Sequence, residues 1–297
     1  MSFDPSYSSP ADAPTHVWQG ICRLLRFLPS LSLDAPLVCL GWLLLFARIG
    51  GVHLSPGGPV VLFLSVWLAY AADRWFDTWR IRSPAFATDR HAFSVRHRRA
   101  IAAIWIAVLS LAMTLAFATL DRDHLLRGFV LLGGVLTYFA AVHLGPPRLR
   151  RSIPKEPVTA LVLVSGIRVF LPHGSPPFPL LIGIGLLFLG NCLLIAAWEA
   201  HSDRHHRFAS MAVNVPFSLP ATRSLLWALL AMALLSPVFL EHPSTLIGLP
   251  IGLSAALLLV LDRTSARVPP AILRSLADIS LMTPWLLWLG LGLTALF

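Results

Sequence analysis

Charged residues are scarce. They make up 12% of the 297 residues, where a soluble domain carries about a quarter. With 56% of residues hydrophobic, the chain has too little polar surface to cover such a core in water, which excludes a soluble two-domain protein. Cysteine is also sparse. Cys22, Cys39 and Cys192 are odd in number and lack metal-ligand spacing, so they read as packing residues rather than as a metal site or a disulfide framework. The first 20 residues contain no apolar core flanked by a cleavage site, which argues against a secretory signal. That stretch, rich in Ser, Pro and Ala, reads as a disordered tail. No nucleic-acid-binding motif accompanies the net charge of +9, and the arginines are divided among loops, so no nucleic-acid partner is expected.

What the chain has in abundance is long apolar runs. Nine can be counted, at about 35–50, 59–73, 100–120, 125–145, 157–171, 178–198, 224–240, 244–261 and 272–296, of the length that crosses a bilayer. The expectation is an all-α integral membrane protein, with a tail over 1–20 and one transmembrane helical domain over 21–297. A short amphipathic stretch, ICRLLRFL, is expected to lie on the membrane surface before the first span. Basic residues orient the spans. Of 23 Lys and Arg residues, nineteen fall in one set of loops: Arg23 and Arg26, seven arginines from Arg74 to Arg99, then Arg148, Arg150, Arg151 and Lys155, and six more after the sixth and eighth spans. Only Arg122 and Arg127 lie in the opposite loops, while Arg48 and Arg168 sit inside or at the far ends of apolar segments. The expected topology is a cytoplasmic N-terminus and a far-side C-terminus, in a bacterial inner (plasma) membrane. Anionic membrane lipids account for the basic loops.

Two acidic pairs stand out. Asp73 and Asp77 close the second run in AADRWFDTWR, and Glu199 and Asp203 close the sixth in AAWEAHSDRHH. On a helix, residues i and i+4 share a face, so each pair presents two carboxylates side by side. Acids beside arginines at a helix end can be local ion pairs, such as Asp77 with Arg80. The recurrence of the spacing four spans apart, on the same basic side, favours a functional reading, because ionisable residues near lipid tend to be functional. The loop after the first pair supplies Arg80, Arg82, Arg90, Arg96, Arg98 and Arg99, whose planar forks suit phosphate. His201, His205 and His206 follow the second pair without forming the several histidine boxes of a di-iron desaturase. A CDP-alcohol phosphotransferase is excluded by the lack of a D-x-x-D-G motif.

The stretch AYAADRWFD resembles the first aspartate motif, N-D-x-x-D-x-x-x-D, of the UbiA superfamily of intramembrane prenyltransferases. Asp73 and Asp77 match its second and third acids, while Ala69 and Tyr70 stand where its asparagine and first acid would be. WEAHSDRHHRFAS resembles the family's D-x-x-x-D motif, with Glu199 and Asp203 as its acids. The resemblance implies a bundle of about nine helices with a central cavity open to the cytoplasm. It also implies transfer of a polyprenyl group from a prenyl diphosphate to an aromatic or lipid acceptor. Mg2+ would be held by Asp73, Asp77, Glu199 and Asp203, and the diphosphate by Arg74, Arg80, Arg148, Lys155 and Arg204. Trp67, Trp75, Trp79, Tyr138, Phe139 and Trp198 would line the cavity for the prenyl tail. Two other functions remain open: a lipid-binding member of the same fold that has lost catalysis, for which Tyr70 argues, and a small-molecule transporter.

Overall fold

A computed structural model describes residues 31–78, 98–146, 153–172, 177–206, 210–215, 217–239 and 245–294, with the side chains of 77–78, 98, 201–206, 239, 271 and 291–294 outside that description. Every described element is helical and no strand occurs among the described residues. The helices are α1 (Asp34–Ile49), α2 (Gly58–Thr78), α3 (Arg98–Thr119), α4 (Arg122–His143), α5 (Lys155–Val169), α6 (Phe178–His206), the single turn α7 (Met211–Asn214), α8 (Ser218–Phe239), α9 (Thr245–Thr264), α10 (Pro270–Ser280) and α11 (Thr283–Thr294). Each of the nine apolar runs is mostly helical over its described residues. Among the described residues, six stretches are long and apolar enough to cross a membrane: Arg99–Thr119, Arg122–His143, Phe178–Ala200, Ser218–Val238, Thr245–Arg267 and Ile272–Gly290. Of the rest, α1 and α5 have only 16 and 15 residues. In α2, Asp73 and Arg74 interrupt the apolar run near its C-terminal end.

α1 occupies the centre, in contact with α2, α5, α9, α10 and α11. It is apolar all round: Cys39, Trp42, Leu43, Leu45 and Phe46 are wholly buried, as expected of a helix with no polar face. α6 forms the second axis and packs against α5, α8, α9 and α10. α3 leans on α2, and α4 on α5. These two are peripheral, since α4 buries none of its residues and Leu126, Val130 and Leu136 are 58–70% exposed. In a chain this apolar, such a face is suited to lipid rather than water.

The last apolar run is broken in two. Leu281 and Met282 separate α10 from α11, and the Leu281 carbonyl accepts a hydrogen bond from Trp42 Nε1 at 3.2 Å. Thr283 Oγ1 donates to the Pro250 carbonyl and pairs with Ser254 Oγ, 2.7 Å away. Trp285 Nε1 donates to the Leu37 carbonyl. Its indole lies where a Cβ on Gly41 would stand 2.6 Å from the ring nitrogen, so only glycine admits the ring at that point. The Leu281 carbonyl at the break is thus satisfied from α1, and the side chains that follow it bond to α9 and α1, the condition under which membrane helices tolerate interruption.

Candidate functional site

Alternation of the helices brings the N-terminus of α1, the C-terminus of α2, the C-terminus of α4, the N-terminus of α5, the C-terminal part of α6 and α10 to one end of the bundle. One group of ionisable residues collects there. Asp73 lies in the last two turns of α2. Its Oδ2 accepts a hydrogen bond from Lys155 Nζ at 2.8 Å, and its Oδ1 lies 3.8 Å from His143 Nε2. Lys155, the only lysine of the chain, opens α5 behind Pro154, and His143 closes α4. The first acidic pair therefore gathers α2, α4 and α5 through one carboxylate.

Arg74 is the next residue along α2, turned by about 100° from Asp73, and so meets a different set of helices. Its Nη2 approaches Asp34 Oδ2 at 3.9 Å, in the first turn of α1, where the helix dipole favours an acid. Asp34 also lies in electrostatic range of Arg274 and Asp278 on α10, and within hydrogen-bonding reach of the latter. Asn191 Nδ2 on α6 donates to Asp278 Oδ1 at 3.1 Å. Arg274 Nη1 donates to Glu199 at 3.1 Å, tying α10 to the second acidic pair. Tyr70, one turn before Arg74, packs against the core beside Asp34 and Asp278. One acid of each sequence pair thus lies among the ion pairs and hydrogen bonds that cluster at the same end of the fold, which we term the polar chamber, and each is held by a cation. α5 lies between α2 and α6 and packs on both.

Asp77 falls on α2 and Asp203 and Arg204 on α6, but their side chains lie outside the described residues, as do Arg80 and Arg148. No group of three His, Cys, Asp or Glu side chains able to hold a metal occurs among the described residues. The aromatic expectations divide. Phe76, Phe139 and His143 cluster with centroids 4.9–6.2 Å apart, Phe139 stacked on His143 and Phe76 tilted against both, and Trp75 and Tyr138 meet this group edge-on. These rings make an apolar wall beside Asp73. Trp67 instead donates to the Leu31 carbonyl at 3.0 Å, anchoring α2 to the chain before α1. Trp198 rests against the core, and Trp79 is outside the described residues.

Several residues of the chamber carry no motif: Asp34, His143, Glu156, Asn191, Arg274 and Asp278. Glu156 is buried, and its Oε1 accepts from the backbone N–H of Met211 at 2.9 Å, holding α7 against α5. Arg274 and Asp278 had a visible signal, two ionisable residues at i and i+4 within an apolar run, and Asp34 had another, an acid at the start of one. The chain matches no family model, no curated protein and no solved structure.

Proposed function

We propose that the chain is a prenyltransferase that uses the polar chamber to bind a polyprenyl diphosphate and transfer its prenyl group to an aromatic or lipid acceptor, on a nine-helix UbiA-like bundle. The observation that carries this reading is the placement of Asp73 and Glu199 at one end of the fold, Asp73 held by Lys155 beside an aromatic wall and Glu199 held by Arg274 in the group that includes Asp34 and Arg74. The cations serve the diphosphate: Lys155, Arg74 and Arg274 lie on three helices around the chamber, and arginine forks match phosphate oxygens. The rings of Phe76, Phe139 and Tyr138 give the tail an apolar surface and keep water from the reacting carbon. The carbon–oxygen bond of the allylic diphosphate breaks with its electron pair leaving on pyrophosphate. The acceptor then bonds to the allylic carbon and gives up a proton.

The donor chemistry suits magnesium, which usually takes one or two carboxylates together with substrate phosphate. Asp73, Asp77, Glu199 and Asp203 would hold it, and it would draw off the negative charge that grows on the leaving diphosphate. The proposal places the chamber on the cytoplasmic side of a bacterial inner membrane, with the C-terminus on the far side. A second reading has its own support: because Lys155 and Arg274 already neutralise Asp73 and Glu199, the chamber could bind a lipid diphosphate without transferring it. Purified protein incubated with isoprenyl diphosphates of several lengths, candidate acceptors and Mg2+ separates the readings. Pyrophosphate release that disappears in Asp73→Asn supports transfer. Saturable binding without release supports the second reading. Transport of solute into vesicles with neither would sink both.

A further inference from the structure

We propose that Glu156 and Ser210 form a binding site for the hydroxyl of a lipophilic alcohol or phenol, a ligand that is the acceptor if the transferase reading, on which that identification rests, is right. Glu156 lies in the first turn of α5 and is 6% exposed. Its Oε1 accepts from the Met211 N–H, and that bond accounts for one oxygen only. Oε2 is buried and has no hydrogen-bond partner among the described residues. The Ser210 hydroxyl belongs to the residue just before the same N–H. Ser210 is 5% exposed and makes no capping bond to α7, and its Oγ is likewise buried without a partner among the described residues. A buried polar atom left unsatisfied is costly and uncommon in folded proteins. Here two of them flank one backbone hydrogen bond.

The surroundings select the ligand. Cys192 on α6 is in electrostatic range of Glu156, Lys155, Asp278 and Arg274. Glu156 is therefore turned towards α6 and the polar chamber rather than towards lipid. Lys155 and Arg274 already supply positive charge in this neighbourhood, which disfavours a cationic ligand. The carboxylate itself repels an anion. A neutral donor is left. A hydroxyl carries one donor and two acceptor lone pairs. A single O–H can thus donate to Oε2 and accept from Ser210 Oγ, satisfying both atoms at once. The rest of the ligand meets apolar surroundings: Ala160, Leu163 and Ile167 follow Glu156 along the same face of α5, and all are buried. Both polar groups are held in place. Pro154 and Pro157 bracket Lys155 and Glu156 and fix the backbone on either side, and α7 packs on α6 and α8.

The test uses the full chain in nanodiscs of phosphatidylcholine, a lipid with no hydroxyl or N–H donor. Radiolabelled para-octylphenol and its methyl ether are each titrated, with protein-free nanodiscs as background. Only the phenol can donate a hydrogen bond. Saturable binding of the phenol is expected, with about tenfold preference over the ether, the worth of a hydrogen bond to a charged acceptor. In Glu156→Gln the Met211 N–H keeps hold of the amide oxygen, which puts an NH2 where Oε2 was. That variant should lose or reverse the preference. Ser210→Ala should narrow it by about two- to fivefold, as for a neutral hydrogen bond. The wild-type comparison needs no variant to fold. No diphosphate, Mg2+ or turnover enters the measurement, so it can fail while the transferase reading stands, and the reverse. Equal binding of phenol and ether would mean that the two atoms hold water only. An unchanged preference in Glu156→Gln would put the hydroxyl elsewhere, and displacement of the phenol by a lower concentration of octylamine would make the site cationic. Each of these results would overturn the proposal.

Discussion

Tyr70 stands where the resembled motif has an acid, and its surroundings say what an acid there would meet. Asp34 and Asp278 are already beside it, as are Cys39 and Cys192, and its ring packs on the core. A third carboxylate would lose that packing and add like charge in a poorly solvated place. Tyr70→Asp is therefore expected to destabilise the fold by about 1–3 kcal/mol, the cost of a buried polar group without a good partner, with Tyr70→Phe losing less. Thermal unfolding in detergent reads both, and a higher midpoint for Tyr70→Asp with added Mg2+ would show that the chamber wants an acid after all. Asp121 offers a cleaner titration, being exposed and outside the spans. As the N-cap of α4, its carboxylate accepts from the His124 backbone N–H at 2.8 Å and meets the His124 ring. Those hydrogen bonds hold its carboxyl below the ordinary value. A lowered folded-state pKa means the cap is in full force above the ordinary aspartate range and is lost as pH falls through the lowered value. Amide exchange at His124 should quicken on that acid limb in the wild type and be quick at all pH values in Asp121→Ala.

At the level of elements, close approach of α8 and α9 depends on two glycines. A Cβ on Gly252 would stand 2.7 Å from Ala233 Cβ, and one on Gly248 would stand 2.5 Å from Ser236 Oγ. Small residues at such contacts let membrane helices meet backbone to backbone. Gly252→Val should force the pair apart at a cost of about 1–3 kcal/mol, the usual penalty of overpacking. Gly134→Ala on α4 meets nothing within 4 Å and should be neutral or slightly stabilising, since alanine is the better helix former. Unfolding midpoints compared between the two variants decide it, and equal losses would mean that α8 and α9 are not packed as described. The existence of these helices was legible in the sequence because apolar runs of this length have few alternatives. Their ends were less so: the sixth apolar run stops at about 198, while α6 runs on through HSDRHH to His206, where only the spacing of Glu199 and Asp203 pointed to helix. The break at Leu281 had one local signal, Pro284, but the contacts that fix it come from Trp42 and Pro250 in distant parts of the chain.

Across the whole molecule, sequence spacing could place Asp73 and Glu199 on the same side but could not name their partners. Lys155 is 82 residues from Asp73, and Arg274 is 75 from Glu199, so only the folded bundle brings these charges together. The alternation that builds the chamber also makes a prediction about crossing. If each apolar run spans once, and α10 with α11 completes one crossing despite the break, positions near 121, 240 and 294 share one compartment. Positions near 147, 207 and 265 then share the other. Reporter fusions at those six sites test the pattern, with the basic loops expected in the cytoplasm. The informative site is 294. A reporter there on the same side as 265 would make α10 and α11 a re-entrant pair that dips in and returns, and Arg274 and Asp278 would then sit on a hairpin rather than a span. A reporter on the side of 121 would make Arg274 and Asp278 ionisable residues of a true transmembrane segment, costly enough near lipid that their contacts with Glu199 and Asn191 must be kept by the fold. In that case Arg274→Gln should lower the unfolding midpoint more than Arg263→Gln, whose parent side chain lies over the Trp227 ring on the flank of the bundle.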